Sequence, residues 1–232
     1  MIEERVHFNS GGMLLEGVLS YEENLATPPA ALICPPHPNL GGDMDNNVIT
    51  ALAQELSNGG YATLRFNYRG VGGSEGPFKP ALSKAEGTVA EKFRYWESTF
   101  GEGNLGGPLE DTKAALYFLK SRRVFIVGYS FGAVMGMRVG AANDAVVALA
   151  GIATPCAVYN LTCLAHCEKP KLFMCSDSDF ATSVEETRRA FEGISEPKKL
   201  VVKTGVGHFY TGSEVEVARE VVSFFNDVGA GL

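Results

Sequence analysis

Ser130 stands between two glycines in the run Val124-Phe125-Ile126-Val127-Gly128-Tyr129-Ser130-Phe131-Gly132-Ala133. A serine hydroxyl is a poor nucleophile near neutral pH and becomes a useful one only beside a general base. The spacing G-x-S-x-G, after an apolar strand-like run and before an Ala/Val/Met-rich helical pattern, is that of a sharp strand–turn–helix elbow. Glycines two before and two after the serine leave room for the strained backbone that such a turn needs. The Phe131 amide at the helix start then faces any oxyanion forming beside Ser130.

A base and an acid must complete the set. The chain has four histidines, and His208 lies in Gly205-Val206-Gly207-His208-Phe209-Tyr210, directly after the last strand-like run. Loops at the carboxyl ends of parallel strands are where α/β sheets place their chemistry, so His208 is the base. His7 falls in the first hairpin, His166 in a cysteine-rich segment, and His37 is read as shaping its loop. The run Leu172 to Phe180 ends with two acids, Asp177 and Asp179; Asp179, farther into the loop, is preferred and Asp177 is the alternative. A second oxyanion donor is expected from Pro35-Pro36-His37-Pro38-Asn39-Leu40-Gly41-Gly42. Pro38 has no N–H, which leaves Asn39 or Leu40, with Asn39 preferred. The chemistry these residues suit is acyl transfer.

The elements that must position them follow from periodicity. Val6 to Asn9 and Leu14 to Tyr21 flank Ser10-Gly11-Gly12 as an antiparallel hairpin. Strand-like runs then alternate with helical patterns: strands at 31–35, 61–68, 124–129, 146–152, 171–176 and 199–203, helices at 45–58, 109–121, 131–141, 183–192 and 213–228. This predicts an α/β fold with a mostly parallel central sheet and helices on both faces, forming one domain over residues 1–232. One stretch exceeds the minimal alternation, a small helical insertion over residues 77–107. In it Val89, Phe93, Trp96 and Phe100 recur at helical spacing, an amphipathic stripe that serves as a lid, as a surface helix buried against the sheet edge, or as a homodimer contact. As a lid it puts Trp96 beside Leu40 and Tyr129 as candidate substrate-binding residues.

Bulk properties narrow the partners. Hydrophobic content of 45% and charged content of 20% are those of a globular protein. A net charge of −7, with no basic cluster, argues against nucleic acid. No apolar run approaches a membrane span, and the acidic start Met1-Ile2-Glu3-Glu4 is unlike a signal peptide, so the expected location is cytoplasmic. Five cysteines without a disulfide framework suit a reducing compartment, and Cys163, His166 and Cys167 lack paired C-x-x-C spacing. They are read as buried thiols, with no metal site. Arg69-Gly70-Val71-Gly72-Gly73-Ser74-Glu75-Gly76 lacks both the Walker lysine and the dinucleotide spacing, and is read as a turn near the active edge.

Three segments, 37–46, 64–72 and 128–132, together resemble the α/β-hydrolase superfamily, and within it a small bacterial-type esterase-like branch related to the dienelactone hydrolase group. The resemblance implies a Ser130–Asp179–His208 triad, an oxyanion hole at the Asn39 and Phe131 amides, and no cofactor. An ester or thioester is the expected substrate, and the short segment between Ile152 and Lys171, with little room for a large cap, favours a small or short-chain acyl group. A serine at 130 differs from the cysteine of true dienelactone hydrolases. A peptidase or amidase on the same triad, or a non-catalytic binding protein of this fold, are the alternatives.

Overall fold

A computed structural model describes residues 1–25, 27–77, 87–99 and 102–231. Eight strands form one sheet: β1 (Ile2–Ser10), β2 (Met13–Tyr21), β3 (Ala30–Cys34), β4 (Ala62–Phe66), β5 (Val124–Tyr129), β6 (Val146–Ile152), β7 (Lys171–Ser178) and β8 (Lys198–Gly207). Their spatial order is β1-β2-β4-β3-β5-β6-β7-β8. The β1–β2 hairpin and the β2–β4 pair are antiparallel, and every pair from β4 to β8 is parallel. The helices are α1 (Asn47–Asn58), α2 (Val89–Thr99), α3 (Gly106–Phe118), α4 (Phe131–Ala141), α5 (Val184–Glu192) and α6 (Glu214–Ala230).

Alternation along the central strands splits the core into two layers. Ala31 and Ile33 of β3, with Phe125 and Val127 of β5, face α1 and α6 through Val48, Leu52, Leu56, Val217, Val221 and Phe225. Leu32 and Cys34, with Ile126, face the opposite layer, which holds Leu116 of α3 and Val134, Met135 and Met137 of α4. Both faces of β3 and β5 are therefore apolar, as parallel strands covered by helices require. Local signals set the helix ends. The Asn46 side chain accepts from Val48 N at the start of α1, and Ser183 and Glu186 form a reciprocal capping box on α5.

The expected strand at 61–68 is shorter, running as β4 from Ala62 to Phe66, and the Asn67 side chain that follows ties two other segments to its end. Its Oδ1 accepts from Met44 N at 2.8 Å, and its Nδ2 donates to Glu16 Oε1 at 2.7 Å. The expected strand at 199–203 is longer, running as β8 to Gly207 and carrying the chain directly to His208. The glycine-rich turn after β4 is tied to the hairpin and to α3. Gly73 N donates to Glu16 Oε1 at 2.6 Å, and Arg69 Nη2 donates to the fully buried Asp111 at 2.7 Å. Of the insertion, α2 is described, whereas residues 78–86 and 100–101 lie outside the described residues. Cys34, Cys167 and Cys175 are buried as expected, but Cys163 is exposed and Cys156 half-buried.

Candidate active site

The central turn of the molecule joins β5 to α4. Ser130 adopts φ 53° and ψ −119°, a left-handed backbone that costs a non-glycine residue about 1–3 kcal/mol. Two main-chain bonds hold it there: Ser130 N donates to Ile152 O at 2.8 Å, and Ala133 N donates to Ser130 O at 3.0 Å. The flanking glycines are required by close backbone approach. A Cβ on Gly128 would fall on the Gly132 carbonyl, and one on Gly132 would fall on the carbonyl oxygens of Cys34 and Pro35. Glycine thus lets the elbow dock on the end of β3.

Ser130 Oγ lies 3.1 Å from His208 Nε2. His208 Nδ1 lies 2.9 Å from both carboxylate oxygens of Asp179. All three side chains are almost wholly buried. Of the two candidate acids, Asp179 meets the histidine. Asp177 is exposed and accepts from Gly205 N at 2.9 Å instead. Asp179 is itself held from behind, its Oδ1 accepting from Ala181 N at 2.7 Å. The main chain of the histidine is anchored as well, since the Tyr129 hydroxyl donates to His208 O at 2.8 Å. Burial and the Asp179 charge raise the Tyr129 phenol well above its ordinary range, so it remains a donor.

Aromatic rings surround the imidazole. Phe180 lies 4.7 Å from it between centroids, Tyr129 5.6 Å, Phe209 5.7 Å and Phe93 of α2 6.3 Å. A cavity of ≈ 50 Å³ opens over Ser130, lined by Leu40, Val89, Tyr129, Phe180, His208 and Phe209 together with the Pro36–His37 and Gly41–Gly42 segments and Asn46. Among the described residues, no lysine, arginine, aspartate or glutamate lines it.

The expected oxyanion donors fare differently. The Phe131 amide, first in α4, has no hydrogen-bond partner among the described residues and is available beside Ser130. The Asn39 amide is not available. It donates to His37 Nδ1 at 3.0 Å, because residues Pro38–Leu40 wind into a tight 3-10 turn capped by the His37 side chain. Leu40 N is likewise spent on His37 O at 3.0 Å. His37 has a structural part that the sequence only hinted at. Its ring packs 4.4 Å from Phe131, and burial pushes its pKa down to about 3, so it stays neutral. Among the expected substrate-binding residues, Leu40 and Tyr129 line the cavity. Trp96 lies on α2, but its side chain falls outside the described residues.

An eight-stranded, mostly parallel sheet with a serine at a strained β5–α4 turn is the pattern to compare. A solved α/β serine hydrolase homologue from Coxiella burnetii superposes with TM-score 0.79 and 28% identity, over 96% of this chain and 97% of that one. This chain has the α/β-hydrolase fold. Two other α/β-hydrolase-fold structures match at lower identity. One is a Xanthomonas campestris serine hydrolase described as having no lid, with TM-score 0.77 and 21% identity over 97% and 94% of the chains. The other is a dienelactone hydrolase from Anabaena variabilis, with TM-score 0.73 and 18% identity over 97% of each chain. No model of a known protein family matches. Within this α/β-hydrolase fold, the described residues include no group of three or more histidines, cysteines or acids able to hold a metal ion. No helix among them is long and apolar enough to cross a membrane.

Proposed function

We propose that this protein is a serine hydrolase that cleaves a small, uncharged carboxylic ester or thioester through an acyl-enzyme. The observation that carries the reading is the buried hydrogen-bonded row from Ser130 Oγ through His208 to Asp179. In the first half-reaction, His208 Nε2 takes the Ser130 proton as Oγ bonds to the carbonyl carbon. Asp179 keeps the other ring proton on Nδ1 and stabilises the imidazolium that forms. The carbonyl oxygen gathers negative charge in front of the Phe131 amide, where the N-terminus of α4 favours it. The leaving alcohol or thiol then departs with the proton from His208. In the second half, His208 draws a proton from water, the hydroxide attacks the acyl carbon, and Ser130 recovers its proton.

The cavity favours a particular substrate. Its described lining residues carry no charged side chain and His37 is neutral, which favours an uncharged acyl group. Hydrolysis of 4-nitrophenyl acetate by the wild type and by Ser130→Ala tests the proposal. A rate that falls by about 10³ or more in the variant supports it. A rate unchanged by the substitution would remove it.

A further inference from the structure

Helix α2 is the element that an alternating sheet of this size does not need, and it lies at the mouth of the site. It packs against the Pro38–Leu40 turn on one side. Phe93 is only 4% exposed. Its ring meets Phe180 edge-on at 5.8 Å, and Phe180 in turn rests 4.7 Å from the His208 ring. Val89, one turn before Phe93 and on the same face of the helix, lines the cavity directly. Val89 and Phe209 are each nearly half exposed and form an apolar lip at the entrance.

Among the described residues, the space left beneath this roof is small. At about 10–15 Å³ for each water, ≈ 50 Å³ holds roughly four waters, the bulk of a short acyl group. Substrate cavities for larger ligands run from about 300 Å³ upward. We infer that α2 is the specificity element of the site: Val89 directly, and Phe93 through Phe180, limit the length of acyl chain that enters. This inference rests on the hydrolase reading above and adds to it the residues that set chain length. Replacing the Phe93 ring with a methyl group takes support from Phe180 and opens space beside the cavity, so longer chains gain entry.

The test is the ratio of kcat/KM for 4-nitrophenyl hexanoate to that for the acetate, in the wild type, Phe93→Ala, Phe93→Leu and Val89→Ala. The wild type is expected to prefer the acetate. Phe93→Ala raises the ratio by about tenfold or more, and Phe93→Leu by less, given what one or two excluded methylenes cost. Val89 is half exposed, so Val89→Ala leaves the core intact and raises the ratio even if Phe93→Ala is too unstable to assay. Ratios within about twofold of the wild type in all soluble variants would overturn the inference, as would a wild type that prefers the hexanoate. Ser130-dependent acetate hydrolysis keeps the two ideas apart. Its absence in the wild type removes the hydrolase reading, while its presence with unmoved ratios removes only the role of α2.

Discussion

At the scale of the residue, the identity of the acid decides which nitrogen of His208 carries the proton. Two carboxylate oxygens within 2.9 Å of Nδ1 hold the proton there and leave Nε2 as the acceptor for Ser130. An amide at the same place would offer a donor to Nδ1 and favour the opposite, unproductive tautomer. Asp179→Asn is therefore expected to lower kcat/KM by about 10³–10⁴ with the fold intact, as loss of the tautomer-setting acid does elsewhere. Asp177→Asn keeps an acceptor for Gly205 N and should stay within about twofold of the wild type. Comparable losses in both variants, measured on 4-nitrophenyl acetate, would contradict the assignment. Both acids were visible in the sequence, and their order along the loop favoured Asp179, the one that lies beside His208. The fate of the Asn39 amide was not visible. It depends on His37 turning its Nδ1 back over two residues, a side-chain choice that no spacing of letters records.

At the scale of the element, the elbow works because β5, α4 and the end of β3 share a space with no room for side chains. Gly132→Ala would drive a methyl group into two backbone carbonyls, which cannot swing aside as a flexible side chain could. The expected cost is about 3 kcal/mol or more, seen as a marked fall in Tm or loss of soluble protein. Gly103→Ala, whose added Cβ meets nothing within 4 Å, serves as the control and should leave Tm almost unchanged. Equal Tm values for the two variants would refute this account of the turn. These central elements were the easiest to read in advance. Unbroken apolar runs between glycines mark strands buried on both faces, and β3, β5, β6 and α4 appear close to the expected bounds. Edges were harder. Just past the end of β4, Asn67 bonds across to Met44 and Glu16, contacts distant in sequence. The extension of β8 to Gly207 reflects its pairing with Ser178 of β7 rather than its own composition.

At the scale of the whole molecule, a strongly asymmetric design separates stability from chemistry. The charged tie of Ser10, Arg69 and Asp111 fixes the hairpin to α3, while the described residues lining the cavity over Ser130 include no charged side chain. Burial of His37 beside that cavity has a consequence for the entire fold. Its pKa falls from 6.5 to about 3 on folding, so the unfolded chain binds an extra proton between those values. Stability must then decline as pH drops through that window, by up to about 1.4 kcal/mol per pH unit from this residue alone. Denaturant titrations at pH 7 and pH 4.5 should show a smaller acid loss for His37→Asn, whose side-chain oxygen can still accept from Asn39 N. Identical losses in wild type and variant would refute the linkage. The fold class and the side chains that the fold brings into one hydrogen-bonded row, Ser130, His208 and Asp179, were legible from the order of motifs along the chain. The covering of the site by α2 was legible only as a choice among a lid, a helix against the sheet edge and a dimer contact, because a helical stripe does not say what it packs against. The most direct test of the central claim is intact-mass labelling with a fluorophosphonate, which reports an activated serine without requiring the natural substrate. A single adduct on the wild type, absent from Ser130→Ala, is the predicted result. A folded wild type that takes no adduct, or a Ser130→Ala variant that labels equally, would contradict it.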